Sequence, residues 1–250
     1  MFVRRDFVAT YKQTILGPIW FFVQPLLTSL TYIIIFSRVA KIPTDGMPPI
    51  LFYLAGITIW NYFSDTLNKT ATVFRDNAGV FGKVYFPRLT MPVSIVVSSL
   101  IRFSIQLLLF LSVWIFYLVK GDTAMEPNIY LVLVPFLVLL MGLLSLGSGM
   151  IISALTTKYR DMIMLLAFGV QLLMYATPVI YPVSSIPEKY RWIILANPVS
   201  SIVETFRYAF LGSGSFSWSS LGYSTAFTLV ILFTGIVIFN KVEKSFTDTV

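Results

Sequence analysis

The 250-residue sequence contains no cysteine and no histidine. These absences exclude disulfide bonds, thiolate chemistry and imidazole bases, and they remove the ligands of the common zinc sites, so no metal site is predicted. Charged residues are also scarce, at 12% of the chain against roughly 25% in soluble domains. Hydrophobic residues make up 57% of the chain. The composition therefore predicts an integral membrane protein.

Long intervals with little or no charge divide the sequence into blocks of the length that crosses a bilayer. The predicted membrane spans are residues 16–37, 47–68, 90–119, 128–156, 162–181 and 221–240. The other predicted segments are an N-terminal interfacial segment 1–12, a cytoplasmic loop 75–88, an outer hairpin 182–212 and a cytoplasmic tail 241–250. The expected fold is a single all-α integral membrane domain, residues 1–250, with six transmembrane helices.

The basic residues give a net charge of +7, but they stand between apolar blocks. Nucleic-acid-binding proteins concentrate their basic residues in a patch or stripe, so this scatter argues against nucleic acid as a partner. Lysine and arginine instead mark the cytoplasmic loops of membrane proteins, and more of them fall on the side of the N-terminus. Both termini are therefore predicted to be cytoplasmic.

The stretch 176–212 lies between two predicted spans and is only half hydrophobic. Proline and charged residues interrupt its apolar runs, so neither run reaches the ~20 residues that cross a bilayer. Irregular backbone at membrane depth is tolerated only where protein or a water-filled cavity satisfies it. A broken hairpin here indicates the mouth of a pathway, and an interfacial loop is the alternative.

Two charges in this hairpin are candidates for the rim of an exit. Glu204 and Arg207 are three residues apart, so on a short helix they share one face. We expect that face to point toward water, beside Tyr181, while the opposite apolar face packs against neighbouring spans. The alternative is a surface salt bridge without a role in transport.

The cytoplasmic loop 75–88 reads RDNAGVFGKVYFPR and mixes charges with apolar side chains. Such side chains either anchor at the membrane interface or dock as a short helix on a cytoplasmic partner. Its GVFGKV run departs from the phosphate-binding loop, which needs four residues between the glycines and Ser or Thr after the lysine. No nucleotide site is predicted, so an energy source must come from another chain. The candidate residues for coupling to that chain are Arg75, Val80, Phe81, Lys83, Tyr85, Phe86 and Arg88, together with Arg160 and Asp161 before the fifth span.

Further polar residues stand at or inside the predicted spans. We expect Arg160 to contact lipid phosphate or the partner, and Asp161 to cap the fifth span. Ser94, Ser98, Arg102 and Gln106 fall on one face of the third span, where they form either a polar path or a structural face paired with Asp65 or helix carbonyls. Ser145, Gly149 and Ser153 form a small-residue stripe in the fourth span, which predicts a helix packing surface.

Short motifs spread over essentially the whole chain resemble ABC-2-type permeases that export polysaccharides and polyol phosphates, such as O-antigen, capsule and teichoic acid. Their order and spacing together are specific, although each motif alone is weak. They are RDFVATYKQTILGPIW at 5–20, QPL at 24–26, FPR at 86–88, YRD at 159–161, TPVIY at 177–181, NP at 197–198 and VEKSF at 242–246.

The resemblance implies a homodimer of six-span subunits in the bacterial cytoplasmic membrane, with the fold of ABC-2 (type V) exporters. It implies two copies of a separate ATPase, which bind ATP and magnesium, and no cofactor or enzymatic activity in this chain. It also implies a channel between protomers for an undecaprenyl-linked or other lipid-linked glycan, a coupling helix in 75–88 and re-entrant helices in 186–211. One departure is that only about a dozen residues precede the first span, so a full-length interface helix is in doubt.

Aromatic side chains suit such a channel, because sugars present apolar C–H faces and slide past rings. The same residue types populate the interfacial belts of any membrane protein, which is the alternative interpretation. The candidates are Trp20, Phe21, Phe22, Trp60, Tyr62, Phe63 and Tyr175.

Two other functions remain open. An ABC-2 exporter of small drugs or lipids shares the fold. An integral-membrane glycan transferase needs a base within the membrane, for which only Asp65 and Glu204 qualify, and no paired-carboxylate spacing is present.

Overall fold

The structure, a computed structural model, describes residues 17–77, 89–121, 128–159 and 161–247, with positions 3, 79 and 87 besides. Throughout these ranges the chain is helical apart from turns and short connections. We number the α-helices in chain order: α1 Trp20–Tyr32, α2 Pro49–Ala71, α3 Val73–Asp76, α4 Thr90–Lys120, α5 Val134–Lys158, α6 Met162–Tyr175, α7 Glu188–Leu195, α8 Pro198–Leu211 and α9 Trp218–Thr247. Helix α1 continues as the π-helix Ile33–Val39, and short 3-10 helices occupy Gly17–Ile19, Ile129–Leu133 and Val183–Ser185.

Proline and glycine mark several helix ends. Pro49 stands in the first turn of α2, where its missing N–H has no intrahelical partner to lose. Helices α4 and α8 end at Gly121 and Gly212, which adopt left-handed φ angles of 66° and 70°. Only glycine takes that conformation without a steric penalty from Cβ.

Four of the described segments are long and apolar enough to cross a membrane. They are Trp20–Val39, Thr90–Lys120, Ile129–Lys158 and Trp218–Val242, and they coincide with the first, third, fourth and sixth predicted spans. Within the predicted fifth span 162–181, the helix stops at Tyr175. The reason is Pro178, which disfavours helical backbone at the residue before it.

Helix α2 lies at the centre of the bundle. All ten residues from Leu51 to Trp60 are buried. The helix contacts α5 and α4 along most of its length, and α1 and α8 over shorter stretches. Such all-round burial is expected of a helix that forms the core of a bundle rather than one of its faces.

Helix α5 packs between α2 and α9, and small residues bring the backbones together. A Cβ at Gly149 would lie 2.6 Å from the Thr70 Cβ of α2, and one at Gly235 of α9 would lie 2.5 Å from the Gly147 carbonyl oxygen. Ser145 and Ser153 are fully buried on the same helix. The predicted packing role of the small-residue stripe is confirmed.

The polar stripe on α4 faces α2. The Arg102 Nη1 lies 3.9 Å from an Asp65 carboxylate oxygen, and its Nε donates to the Ser98 carbonyl at 3.5 Å. One turn further on, Asn61 Nδ2 donates to Gln106 Oε1 at 3.3 Å. The contacts with Asp65 and Asn61 join α4 to α2, so they support the structural interpretation of the stripe.

Candidate functional site

Asn197 stands between α7 and α8 and connects the start of α8 to the turn that follows α6. The Asn197 Oδ1 accepts from the Val199 N–H at 3.1 Å, which caps α8. Its Nδ2 donates to Thr177 Oγ1 at 2.9 Å, in the turn that follows α6. One amide therefore joins the start of α8 to the end of α6.

Glu204 and Arg207 form an ion pair inside the subunit. The Arg207 Nη1 donates to Glu204 Oε1 at 2.9 Å, and each side chain is 2% exposed. The expectation that this charged face points toward water is therefore wrong, and so is the alternative of a surface salt bridge. The reason is that α8 packs against α2, α5 and α9, so the charged face is covered as well as the apolar one.

The Arg207 guanidinium is held by α2 and by the turn after α6. Its Nη2 donates to the Val179 carbonyl at 3.1 Å, and its carbon lies 3.8 Å from the centre of the Phe52 ring. A Cβ at Gly56 would lie 2.9 Å from Nη2, so only glycine at that position leaves room for the guanidinium. Arginine suits this site because its planar, weakly hydrated group both stacks and donates.

The Glu204 carboxylate is closed in by the loop that follows α8. Its Oε2 accepts from the Ser215 N–H at 3.4 Å. A Cβ at Gly214 would lie 3.1 Å from the same oxygen, and the φ angle of Gly214 is +107°. Burial raises the pKa of the Glu204 carboxyl, whereas the Arg207 charge and the Ser215 N–H act in the opposite direction.

An open cavity of about 420 Å³ adjoins this carboxylate. Its wall includes Asp45 from the loop before α2 and Ser184 from the turn before α7, and Ser184 Oγ donates to Asp45 Oδ1 at 2.6 Å. Arg191 of α7 and Ser201 of α8 complete the polar side. The cavity therefore joins the loop before α2 to the outer hairpin, which lies far from that loop in the sequence.

Sequence reasoning missed most of this environment. Asp45 and Ser184 stand in loops without a motif, and Phe52 and Gly56 look like ordinary members of an apolar span. The one available signal was the unusual cost of two charges in an otherwise apolar hairpin, which requires partners for them.

Of the predicted channel residues, Phe21, Trp60, Tyr62 and Phe63 are at most 7% exposed. Trp60 and Phe63 contact each other at 5.4 Å between ring centres, and Tyr62 contacts Phe103 at 5.2 Å. A side chain in the core of one subunit does not reach a channel between two, so the prediction is wrong for these four. Trp60, Tyr62 and Phe63 are buried because other helices surround α2, and Phe21 lies on the side of α1 that faces the bundle.

Trp20, Phe22 and Tyr175 are exposed. Tyr181 is half-buried, and its hydroxyl donates to the Tyr175 carbonyl at 2.9 Å. The lining role of the exposed residues and the exit role of Tyr181 stay predictions.

The base of the predicted coupling loop is firmly packed. Val73 and Phe74 of α3 are buried beside Met91 of α4 and Met150 of α5, and the Phe74 ring stacks on Phe239 of α9 at 4.5 Å. Arg75 is exposed and pairs with Asp76 at 3.0 Å. The interfacial segment 1–12 apart from position 3, and the predicted docking residues Val80, Phe81, Lys83, Tyr85, Phe86, Arg88 and Arg160, lie outside the described residues.

Asp161 occupies the position before α6, but its side chain makes no capping hydrogen bond. The prediction of a side-chain cap is wrong, because its backbone is already helical, with φ −68° and ψ −20°. A capping side chain instead needs extended backbone to turn back onto the first N–H groups.

We expect Asn197→Ala to lower the free energy of unfolding by about 1 kcal/mol or more, since it removes both a cap and the bond to Thr177. Asp161→Ala is the matched control and should cost less than about 0.5 kcal/mol, since it removes no cap bond. Thermal unfolding of both variants in the same detergent measures the difference. Equal losses would contradict the assignment of the caps.

Comparison with known proteins shows which family the chain resembles. A family profile described as ABC-2 type transporter matches residues 1–211. The chain is 28% identical over 246 residues to the O-antigen export system permease protein RfbA of Klebsiella pneumoniae, covering 98% of this chain and 91% of that protein. It is 31% identical over 198 residues to the protein of that name in Myxococcus xanthus, covering 78% and 73%. It is 27% identical over 244 residues to the polysialic acid transport protein KpsM of Escherichia coli, covering 96% and 92%.

The profile match spans most of the chain, and the described helices include four long apolar segments. The expected family resemblance is therefore confirmed, and the protein is an integral membrane transport subunit. The chain belongs to the ABC-2 type transporter family.

Proposed function

We propose that this chain is the permease subunit of an ABC exporter that moves lipid-linked polysaccharide across the bacterial cytoplasmic membrane. The observation that carries the proposal is similarity along nearly the whole chain to permeases named for two different polysaccharides, O-antigen and polysialic acid. The glycan is linked to undecaprenyl or to another carrier lipid. Two copies of a separate ATPase bind ATP and magnesium and supply the energy.

The proposed subunit crosses the membrane six times and pairs with a second copy. Helix α2 has 23 residues and so a length of roughly 34 Å, enough to span the hydrocarbon core. Helix α6 has 14 residues, and the segment to Tyr181 completes the fifth crossing. Exposed aromatic and apolar side chains on α1 and α6, among them Trp20, Phe168 and Tyr175, suit a dimer face beside the glycan path. Helices α7 and α8 form a re-entrant hairpin on the outer side.

A mechanical link between the ATPase and the spans follows from the packing of α3. The loop that begins at Arg75 continues from Val73 and Phe74, which are packed against α4, α5 and α9. Movement of the loop is therefore passed to three long helices together. The docking residues of the loop would supply the contact with the ATPase.

The coupling role predicts the effect of Phe81→Ala combined with Tyr85→Ala. Loss of two aromatic anchors at a protein interface costs about 2 kcal/mol or more, so binding of the ATPase should weaken roughly 30-fold and export should fall with it. Co-purification of the ATPase and the amount of exported polysaccharide measure the two effects. Phe233→Ala removes an exposed aromatic from α9 and serves as the control. Unchanged assembly and export in the double variant would contradict the docking role.

The orientation is tested by labelling single cysteines, for which this cysteine-free chain gives a clean background. Ser219 and Lys158 are both exposed and lie at opposite ends of the predicted topology. We expect Ser219→Cys to react with a membrane-impermeant maleimide in intact spheroplasts, and Lys158→Cys to react only after lysis. The reverse pattern would overturn the topology.

Deletion of the gene tests the function itself. We expect surface polysaccharide to disappear and lipid-linked glycan to accumulate inside the cell, with both effects reversed by the intact gene. Normal surface polysaccharide would favour the alternative exporter of small lipids or drugs. Failure to assemble the glycan, with no stimulation of a co-expressed ATPase by the purified chain, would favour the membrane transferase.

A further inference from the structure

The cavity beside Glu204 is a built polar site that the ion pair alone does not explain. Its volume of about 420 Å³ lies within the roughly 300–1,000 Å³ of small-molecule sites. Its lining residues come from the loop before α2, the turn before α7, helices α7 and α8, the loop after α8 and the start of α9. A single subunit therefore supplies this polar lining.

Charges around the cavity are balanced. Asp45 and Glu204 contribute carboxylates and Arg191 a guanidinium, while Arg207 neutralises Glu204 from the buried side at 2.9 Å. The two carboxylates repel an anion about as strongly as the two guanidiniums attract it. For a cation the signs are reversed, so neither kind of ion gains a net attraction. The balance favours an uncharged polar ligand.

Hydroxyl groups make up much of the remaining polar surface. Ser220 is half-buried in the wall, and Ser201 is 4% exposed there. Ser184, Thr205, Ser215 and Ser217 also line the cavity, so hydroxyl-bearing side chains recur around its wall. Serine hydroxyls both donate and accept, and carboxylates accept from adjacent hydroxyls.

We infer that this cavity binds one uncharged sugar unit of the transported glycan. This inference rests on the proposed function, which supplies the sugar, and it adds a binding site within each subunit. The sugar hydroxyls donate to the Asp45 carboxylate and exchange hydrogen bonds with the serine side chains, while Arg191 donates to ring or hydroxyl oxygens. The site joins the loop before α2 to both helices of the hairpin, so an occupied cavity holds these elements together.

The test uses the full-length permease in lipid nanodiscs, titrated separately with D-glucose, D-galactose, D-mannose, L-rhamnose, N-acetyl-D-glucosamine and inorganic phosphate. Saturation-transfer NMR and calorimetry should show saturable binding of at least one sugar, one per subunit, that phosphate does not displace. Asp45→Asn still accepts from Ser184 but loses its charge, and it should weaken sugar binding about fivefold. Ser220→Phe fills the cavity and should weaken binding at least tenfold.

Gly222→Phe is the control, because it places the same ring on an exposed position of α9 that lies outside the cavity wall and has open space around it. It should bind sugar like the unchanged protein. The inference is overturned if no sugar of the panel binds to the folded permease, if phosphate binds in place of the sugars, or if the two phenylalanine variants bind equally well.

Failure of the site and failure of the proposed function are separable. If gene deletion removes surface polysaccharide but purified permease binds no sugar, the site is wrong and the exporter assignment stands. If sugar binds with the expected variant pattern while deletion leaves surface polysaccharide unchanged, the site stands and the exporter assignment fails.

Discussion

Arg207→Ala is expected to lower the free energy of unfolding of the subunit by about 3–5 kcal/mol. The substitution leaves the Glu204 carboxylate buried without its partner and also removes the contacts with Val179 and the Phe52 ring. Desolvation of a charge is costly, and the penalty is no longer offset once the opposite charge is gone. Unfolding of the purified subunit in mixed micelles, followed by the change in helical circular dichroism, measures the loss.

The exposed pair Arg75 and Asp76 provides the control. Its nitrogen–oxygen distance of 3.0 Å is close to the 2.9 Å of the inner pair, but its side chains are 56% and 50% exposed. Arg75→Ala should therefore cost under about 1 kcal/mol. The double variant Glu204→Leu with Arg207→Met removes both buried charges and should recover most of the stability that Arg207→Ala loses. Equal losses for Arg207→Ala and Arg75→Ala would mean that the inner pair is not desolvated.

Gly235→Ala is expected to have the second large effect, by forcing helices α5 and α9 apart. The new Cβ would lie 2.5 Å from the Gly147 carbonyl oxygen, which is backbone and cannot rotate away. Overpacking of this kind costs about 1–3 kcal/mol and occasionally more. Gly235→Val should go further and abolish recovery of folded protein, since the branched side chain meets the same backbone. The yield of monodisperse protein and its midpoint of thermal unfolding measure both variants.

The control lies on the same helix. A Cβ at Gly222 has no neighbouring atom within 4 Å, so Gly222→Ala should leave stability unchanged or raise it by up to about 1 kcal/mol through helix propensity. If Gly235→Ala and Gly222→Ala behaved alike, the close contact of α5 with α9 would be wrong.

Several features of this protein are determined locally and were predictable. Four long spans follow from apolar runs of sufficient length, because hydropathy over a single segment decides whether it can enter a bilayer. The small residues at 145, 149 and 153 predicted a packing face, since a row of minimal side chains has little other use in an apolar helix. The spacing of Ser98, Arg102 and Gln106 likewise predicted one polar face, and Asp65 was the nearest candidate partner.

What the sequence did not determine is which faces meet protein and which meet lipid. Helical spacing places Glu204 and Arg207 together, but their burial depends on Phe52, Val179 and the loop at Ser215, which only folding brings near.

Trp60, Tyr62 and Phe63 show the same limit. Lipid tails are as apolar as a protein core, so an aromatic side chain in a span carries no sign of whether lipid, a channel or another helix will cover it. The sequence by itself determined the membrane class, four long apolar segments and the family. Only the tertiary structure decided that α2 occupies the centre, that its aromatic side chains are core residues, and that the charged pair of the hairpin lies inside the subunit.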